Sequence, residues 1–341
     1  MKKKIVCCVA IVLLTLLLLG LVQALLQPKY MTQSHEGALI SEYYREKNPS
    51  HDVLFIGDCE VYESFTPPTL WSEYGITSYI RGSAQQLVWQ SYYLLEETLR
   101  YETPRVVVFN VLALKYGEPQ DEAYNRLTLD GMRLSLTKLK SIQASMTEGE
   151  SFASYLFPIL RYHSRWKSLT AEDFKYLVSR DLISHNGYLM QTDIRGGRSE
   201  ILPSPLVDPA LPADAMTYLD KMRVLCQEKG ITLILIKAPT NDWRYHWYEE
   251  WEAQILAYCA EHQVPYYNFI PLADEIGLDW STDTYDVGVH LNVYGAEKLT
   301  SYFGAILAKD YGLQSRKTEK ELAALWEEKL ARYLAERNSE N

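Results

Sequence analysis

Five short runs of apolar, β-branched and aromatic residues, spaced among stretches of helical periodicity, limit most sharply what this chain can fold into. They are DVLFIG (52–57), TSYI (77–80), RVVVFNV (105–111), ITLILIK (231–237) and PYYNF (265–269). Near-continuous apolar runs of this length fit strands covered on both faces, as in parallel sheets whose crossovers are helices. QQLVWQSYYLLEETLRY (85–101), PADAMTYLDKMRVLCQEKG (212–230) and EEWEAQILAYCAEHQ (249–263) read as such helices, with Gly230 placed to cap the second. The alternation predicts an α/β fold with a doubly wound, five-stranded parallel sheet.

A different segment bears on where the chain resides. Lys2, Lys3 and Lys4 precede 22 uncharged, mostly apolar residues from Ile5 to Leu26, enough to cross a hydrocarbon core roughly 30 Å thick. Lysines favour the cytoplasmic side, so a single-pass anchor with residues from about 30 onward outside the cell is expected. A cleaved signal peptide is the competing reading. Its apolar region usually runs about 7–15 residues and ends at a small-x-small site, which GLVQALLQPKY supplies poorly.

The third and fourth runs are separated by about 120 residues, far more than a crossover helix needs. Residues near 112–211 are therefore expected to form a helical insertion beside the sheet, part of a lid or a partner surface. The sequence divides into a lysine cluster and transmembrane anchor (1–28), an α/β domain (29–315) and an amphipathic C-terminal helix (316–341). That last helix carries Leu322, Leu325, Trp326, Leu330, Tyr333 and Leu334 along one face, suited first to packing and second to docking on a membrane or partner. With 47% hydrophobic residues the chain can bury a large core. A net charge of -10 with no basic stripe beyond the N-terminal lysines argues against nucleic acid as a partner.

In open parallel sheets ligands bind beyond the carboxyl ends of the strands. The polar residues there are Cys59 after the first run, Gly82 after the second, Asn110 in the third, Lys237 closing the fourth, and TDTYDVGVHLN (282–292) after the fifth. Together they offer a nucleophile, a glycine turn, an amide, a cation, aspartates and a histidine.

Gly57-Asp58-Cys59, Gly82, and Asp286 with His290 resemble the block pattern of the SGNH/GDSL hydrolase family over about residues 50–305. The resemblance implies a flavodoxin-like sheet, a nucleophile on the turn after the first strand, and a late Asp and His. It also implies an oxyanion held by a glycine amide and an asparagine. The anchored topology and the HLNVYGAEKLTSYFG ending look more like the membrane branch linked to teichoic-acid D-alanylation and polysaccharide O-acetylation. Implied with it are a cell-surface polysaccharide or teichoic-acid-like substrate and a multispanning membrane acyltransferase as partner. The chain departs from the pattern at three points: Cys59 replaces serine, the late motif is DxxxH, and no Gly-x-Asn-Asp follows VVVFN, leaving Asn110 as a loose stand-in.

The roles expected are Cys59 as nucleophile, His290 as base and Asp286 as its orienter, with Asp283 in reserve. Asp58, Gly82, Asn110 and Lys237 form the expected oxyanion and substrate-binding set. A helix N-terminus and a nearby imidazole are expected to lower the thiol pKa from about 8.5. A thioester would be activated for transfer to a sugar hydroxyl. The competing class is a non-catalytic module that holds glycan or organises an envelope complex, with Cys59 structural. Cys226 and Cys259 read as small buried hydrophobes, although a disulfide between them is open. Trp243, Trp247 and Trp251 would share a helical face, as core or as a sugar-stacking platform. RYHSRW (161–166) reads as a solvated helix face or as two guanidinium groups for an anionic polymer. No HExxH, paired CxxC or Gly-rich phosphate loop appears, so no metal or cofactor is expected.

Overall fold

The computed structural model describes residues 2–28, 37–47, 49–119, 121–198, 206–241 and 248–339. The strands are β1 (Val53–Gly57), β2 (Ser78–Gly82), β3 (Val106–Asn110), β4 (Thr232–Lys237) and β5 (Tyr266–Asn268). The longer helices are α1 (Lys2–Leu26), α2 (Pro67–Tyr74), α3 (Val88–Thr98), α4 (Glu122–Leu129), α5 (Leu136–Ser145), α6 (Ala171–Val178), α7 (Ala213–Lys229), α8 (Glu249–His262), α9 (Val293–Asp310) and α10 (Lys320–Ser339).

All five strands are parallel, in the order β2-β1-β3-β4-β5. This is the doubly wound α/β sheet predicted from the five runs. Connections leave β1 in one direction and return past it to β3, so the crevice of the fold lies where β1 and β3 end. β2 extends beyond Ile80, where the sequence reading ended it, because its pairing with β1 continues to Gly57 and Gly82.

Side chains alternate along each strand, which sorts the apolar runs onto two faces. Leu54, Ile56, Val107, Phe109, Leu233 and Leu235 face α3, α7 and α8, meeting Val88, Leu95, Leu219, Met222 and Ile255. Cys226 and Cys259 are buried free thiols in that layer. Phe55, Val108, Ile234 and Ile236 face α2 and α9, meeting Leu70, Leu299 and Phe303. Gly230, at φ 69°, ends α7 in the left-handed cap expected of it.

The stretch between β3 and β4 is helical in its first half. α4 and α5 pack on α3 around Leu94, Leu129, Met132, Ile142 and Tyr155. Its later part crosses the carboxyl end of the sheet. The Leu189 amide donates to the Tyr62 carbonyl (2.9 Å), the Arg195 amide to Thr284 (3.0 Å) and the Gly197 amide to Trp280 (3.0 Å).

α10 packs back onto α2. Trp326 stacks on Trp71 with ring centroids 5.6 Å apart, and the Trp71 indole donates to Glu327 at 3.0 Å. Trp326 and Tyr333 are buried, whereas Leu325 and Leu334 of the same apolar face stay exposed. Trp326→Ala removes a fully buried indole and with it the stack on Trp71. Chemical denaturation should show a loss of roughly 3–5 kcal/mol.

Candidate active site

β1 ends in a turn that only small residues permit. Gly57 and Gly82 are paired at the ends of their strands. A Cβ on Gly82 would sit 2.9 Å from the Gly57 carbonyl oxygen, and one on Gly57 would meet Val61 at 2.6 Å. The turn starts the one-turn helix Cys59–Tyr62, capped by Asp58, whose Oδ1 accepts from the Glu60 amide at 3.2 Å.

The thiol of Cys59 meets the imidazole of His290, with Sγ 3.1 Å from Nε2. On the other side of the ring Asp286 Oδ2 lies 2.7 Å from Nδ1, while Asp286 Oδ1 accepts from the His290 amide at 2.8 Å. The carboxylate assigns the Nδ1 proton, so neutral His290 turns a lone pair on Nε2 toward the thiol. Cys59, 231 positions from His290 in sequence, is thus brought into line with His290 and Asp286.

The loop from Asp286 to His290 accommodates the extra residue of DxxxH by a left-handed turn. Val287 has φ 65° and Gly288 φ 92°. A β-branched residue there is strained. The loop is pinned on both sides: the Val287 amide donates to Arg195 (2.9 Å), the Asn241 amide to the Gly288 carbonyl (2.8 Å), and the Gly288 amide to Thr284 Oγ1 (2.9 Å). Asp283, the reserve orienter, is occupied elsewhere; it accepts from Lys298 Nζ at 2.6 Å and from the Asp279 amide at 2.7 Å.

Two neighbours of the imidazole escape the sequence reading. Glu63 lies with Oε2 3.5 Å from His290 Nδ1 and accepts from the Tyr285 hydroxyl at 3.0 Å. The Tyr285 ring stacks near that of His290, with centroids 6.1 Å apart. Spacing offers a faint signal for Glu63, which follows Cys59 by four residues. Tyr285 offers none beyond its place beside Asp286.

The rest of the expected binding set is drawn beneath the turn. Asn110 is fully buried; its amide nitrogen donates to Asp58 Oδ1 (3.1 Å) and Glu60 Oε2 (2.9 Å), and its oxygen accepts from the Ala238 amide (3.2 Å). Lys237 is also fully buried. Its ammonium donates to both Glu60 oxygens, at 2.9 and 2.8 Å, and to the Ala238 carbonyl at 2.8 Å. The expectation that Lys237 and Asn110 face a ligand is corrected. A buried carboxylate needs a cation and donors more than the crevice does, and Glu60 takes both. Asp58 serves as cap and acceptor in the same network.

Trp243 and Trp247 of the tryptophan stripe lie outside the described residues; Trp251 is partly buried against the core, edge-on to Tyr248 at 5.0 Å. His51 faces Glu102 at 2.9 Å and His185 faces Glu336 at 3.0 Å, both structural pairings. Among the described residues no cluster of three His, Cys, Asp or Glu is placed to hold a metal ion. Cavities of about 490 and 570 Å³ lie around residues 38–47 and 176–184, and neither borders Cys59.

Burial pushes the Cys59 thiol up, with His290 pulling it back. This corrects the expected lowering of the thiol pKa: desolvation of a thiolate here outweighs the pull of the neighbouring imidazole. Burial works against charge on His290, but Cys59, Glu63 and Asp286 together raise it well above its ordinary value. Burial also lifts the Glu63 carboxyl to about 7 against the pull of His290, and the Asp58 carboxyl to about 6. The arrangement can therefore pass the thiol proton to Nε2, because thiolate and imidazolium stabilise each other as they form.

No family model matches the chain, and no curated protein does. Among solved structures it is similar to a candidate acylhydrolase from Bacteroides fragilis, at 12% identity and TM-score 0.38, covering 79% of this chain and 94% of that one. It is also similar to a GDSL-like lipase from Bacteroides thetaiotaomicron, at 13% identity and TM-score 0.37, covering 81% and 100% respectively. Neither likeness is deep enough to assign an activity, which rests on the side chains themselves.

Lys237→Met strands the Glu60 carboxylate without its cation and should cost roughly 3–5 kcal/mol in chemical denaturation. Activity should fall with the folded fraction, leaving KM unchanged. Glu63 gives a pH signature. Its folded pKa of about 7 exceeds its ordinary value of 4.5, so the stability it contributes is present below about 4.5 and lost as pH rises through about 7. Thermal unfolding across that range should fall less for Glu63→Gln than for the parent chain.

Proposed function

We propose that this chain is a membrane-anchored acyl-transfer or ester-cleaving enzyme that works through a Cys59 acyl intermediate. The observation that carries the reading is the line of thiol, imidazole and carboxylate, at 3.1 and 2.7 Å. His290 takes the thiol proton as the sulfur attacks an acyl carbonyl, forming a C–S bond. As the tetrahedral centre collapses the ester C–O bond breaks, and His290 returns the proton to the departing alcohol. An acceptor hydroxyl, or water, then gives its proton to His290 and attacks the thioester; a C–O bond forms, the C–S bond breaks, and His290 returns the proton to the departing sulfur, restoring the thiol.

Asp286 fixes the ring's orientation throughout, and Glu63 adds negative charge that steadies the imidazolium. With Asn110 committed to the buried network, Gly82 is the member of the expected oxyanion set left beside the turn. A cysteine suits transfer, because a thioester is more reactive toward a hydroxyl than an ester is. We take the acceptor to be a cell-surface polysaccharide or teichoic-acid-like polymer, and a multispanning acyltransferase to be the partner that supplies the acyl group. α1 is long and apolar enough to cross a membrane. Lys2 to Lys4 favour the cytoplasmic side, which would put the site outside the cell.

Incubation with activated esters followed by peptide mass spectrometry should find the acyl adduct on the peptide holding Cys59. Cys59→Ala should abolish turnover and Cys59→Ser should keep a trace, since an alkoxide leans harder on the base. His290→Ala should cost roughly 10²- to 10⁴-fold in rate. Adducts confined to Cys226 or Cys259, or full activity of Cys59→Ala, would instead favour a non-catalytic glycan-binding module.

A further inference from the structure

We propose that the surface formed by Phe157, Leu160, Trp166, Phe174 and Val178, around the exit of α1, docks into the lipid headgroup layer of the membrane that α1 crosses. The inference rests on reading α1 as a retained anchor and adds a second attachment to it.

α1 is exposed along most of its length, apart from half-buried Leu19, and becomes continuously covered from Gln23 onward. From Ile5 to Val22 the exposed helix rises roughly 27 Å, close to a hydrocarbon thickness of roughly 30 Å. The membrane boundary therefore falls where α1 meets the body of the protein.

That junction is built. The end of α1 packs against α6 and the turns Ile159–Tyr162 and His163–Ser168. Arg165 Nη1 donates to the carbonyls of Leu25, Leu26 and Gln27, at 3.4, 3.1 and 2.9 Å, and its Nη2 donates to Asp173 at 2.6 Å. A helix end leaves its last carbonyls without intrahelical partners. Here one guanidinium supplies them and ties the span to α6.

Trp166 follows Arg165 in the chain, and Phe174 follows Asp173. Trp166 Cα is thus roughly 4 Å from that of Arg165, which holds the end of α1, and Phe174 Cα roughly 4 Å from that of Asp173, which holds Arg165. Both are turned out: Trp166 is 65% exposed and Phe174 55%, with Val178, one turn beyond Phe174, at 88%. Leu160 and Phe157 are exposed on the adjoining turn. Single exposed apolar residues are ordinary, but a group of large ones beside a membrane span marks an interfacial surface.

The charge agrees. The chain carries a net -10, yet residues 157–182 hold five basic side chains, Arg161, Arg165, Lys167, Lys175 and Arg180, against three acidic ones. Lys167 Nζ lies 5.7 Å from the centre of the Trp166 ring. Indole at the interface with a cation reaching toward phosphate is the chemistry of an anionic headgroup layer. The arginines that read from sequence as a solvated face or a polymer clamp thus divide: Arg165 caps the anchor, and Arg161 pairs with Glu122 at 3.1 Å.

The test uses the full chain in vesicles of phosphatidylcholine and phosphatidylglycerol whose acyl chains are brominated close to the headgroup. Bromolipid should quench the tryptophan fluorescence of the parent chain more than that of Trp166→Phe, the difference isolating Trp166. Equal quenching in chains that resist alkaline carbonate extraction would overturn the docking surface while leaving the anchor. Extraction of the chain by carbonate would overturn the anchor, and the docking surface with it. A difference that appears only after a membrane protein partner is added would overturn lipid as the occupant.

Discussion

The ion pair between Glu60 and Lys237 holds the ends of three strands in one place. Glu60 sits on the turn after β1 and Lys237 closes β4; between them Asn110 at the end of β3 bonds both carboxylates of the turn. None of the three side chains is exposed beyond 2%. Such groups are costly to bury singly and tolerable only when satisfied together, so the network permits few arrangements of the strand ends. The Cys59 turn stands on this floor, and its placement against His290 follows from it.

Above the floor the chemistry concerns one proton. The thiol is raised by burial, and the imidazole is raised by Cys59 first and then by Glu63 and Asp286, so the two groups do not titrate independently. They share a contact of 3.1 Å, so each charge exists mainly with the other. Glu63, poised near neutrality, couples that ion pair to pH. The strain stored at Val287 belongs to the same design, because the left-handed turn lets one carboxylate hold both the amide and the ring of His290.

The segment between β3 and β4 serves two places at once. Its middle carries the exposed aromatic surface and the Arg165 cap on α1, and its end, from Leu189 to Gly197, is hydrogen-bonded to the loop that presents Asp286 and His290. One continuous stretch therefore runs from the foot of the apolar helix to the loop that carries Asp286 and His290. An insertion of this length, which looks dispensable as a crossover, acquires a physical reason in that span.

Local chemistry determined much of this protein directly from the sequence. Near-continuous apolar runs have to be covered on both faces, which set the parallel sheet, and the Gly57-Asp58-Cys59 turn and the Asp286–His290 spacing drew attention to segments that the fold brings together. Strand limits such as that of β2 were less clear, because pairing partners rather than composition decide where a ladder stops. What only the tertiary structure decided is which polar groups face the crevice and which lie beneath it. Lys237, Asn110 and Asp58 carry the same functional groups as ligand-binding residues do, and nothing local marks them as structural. The choice was made by Glu60, a buried carboxylate distant from Lys237 in sequence, whose need for a cation and donors is visible only once the chain has folded. Arg165 was settled in the same way by the open carbonyls at the end of α1, since charge balance inside a low-dielectric interior is a property of the assembled fold.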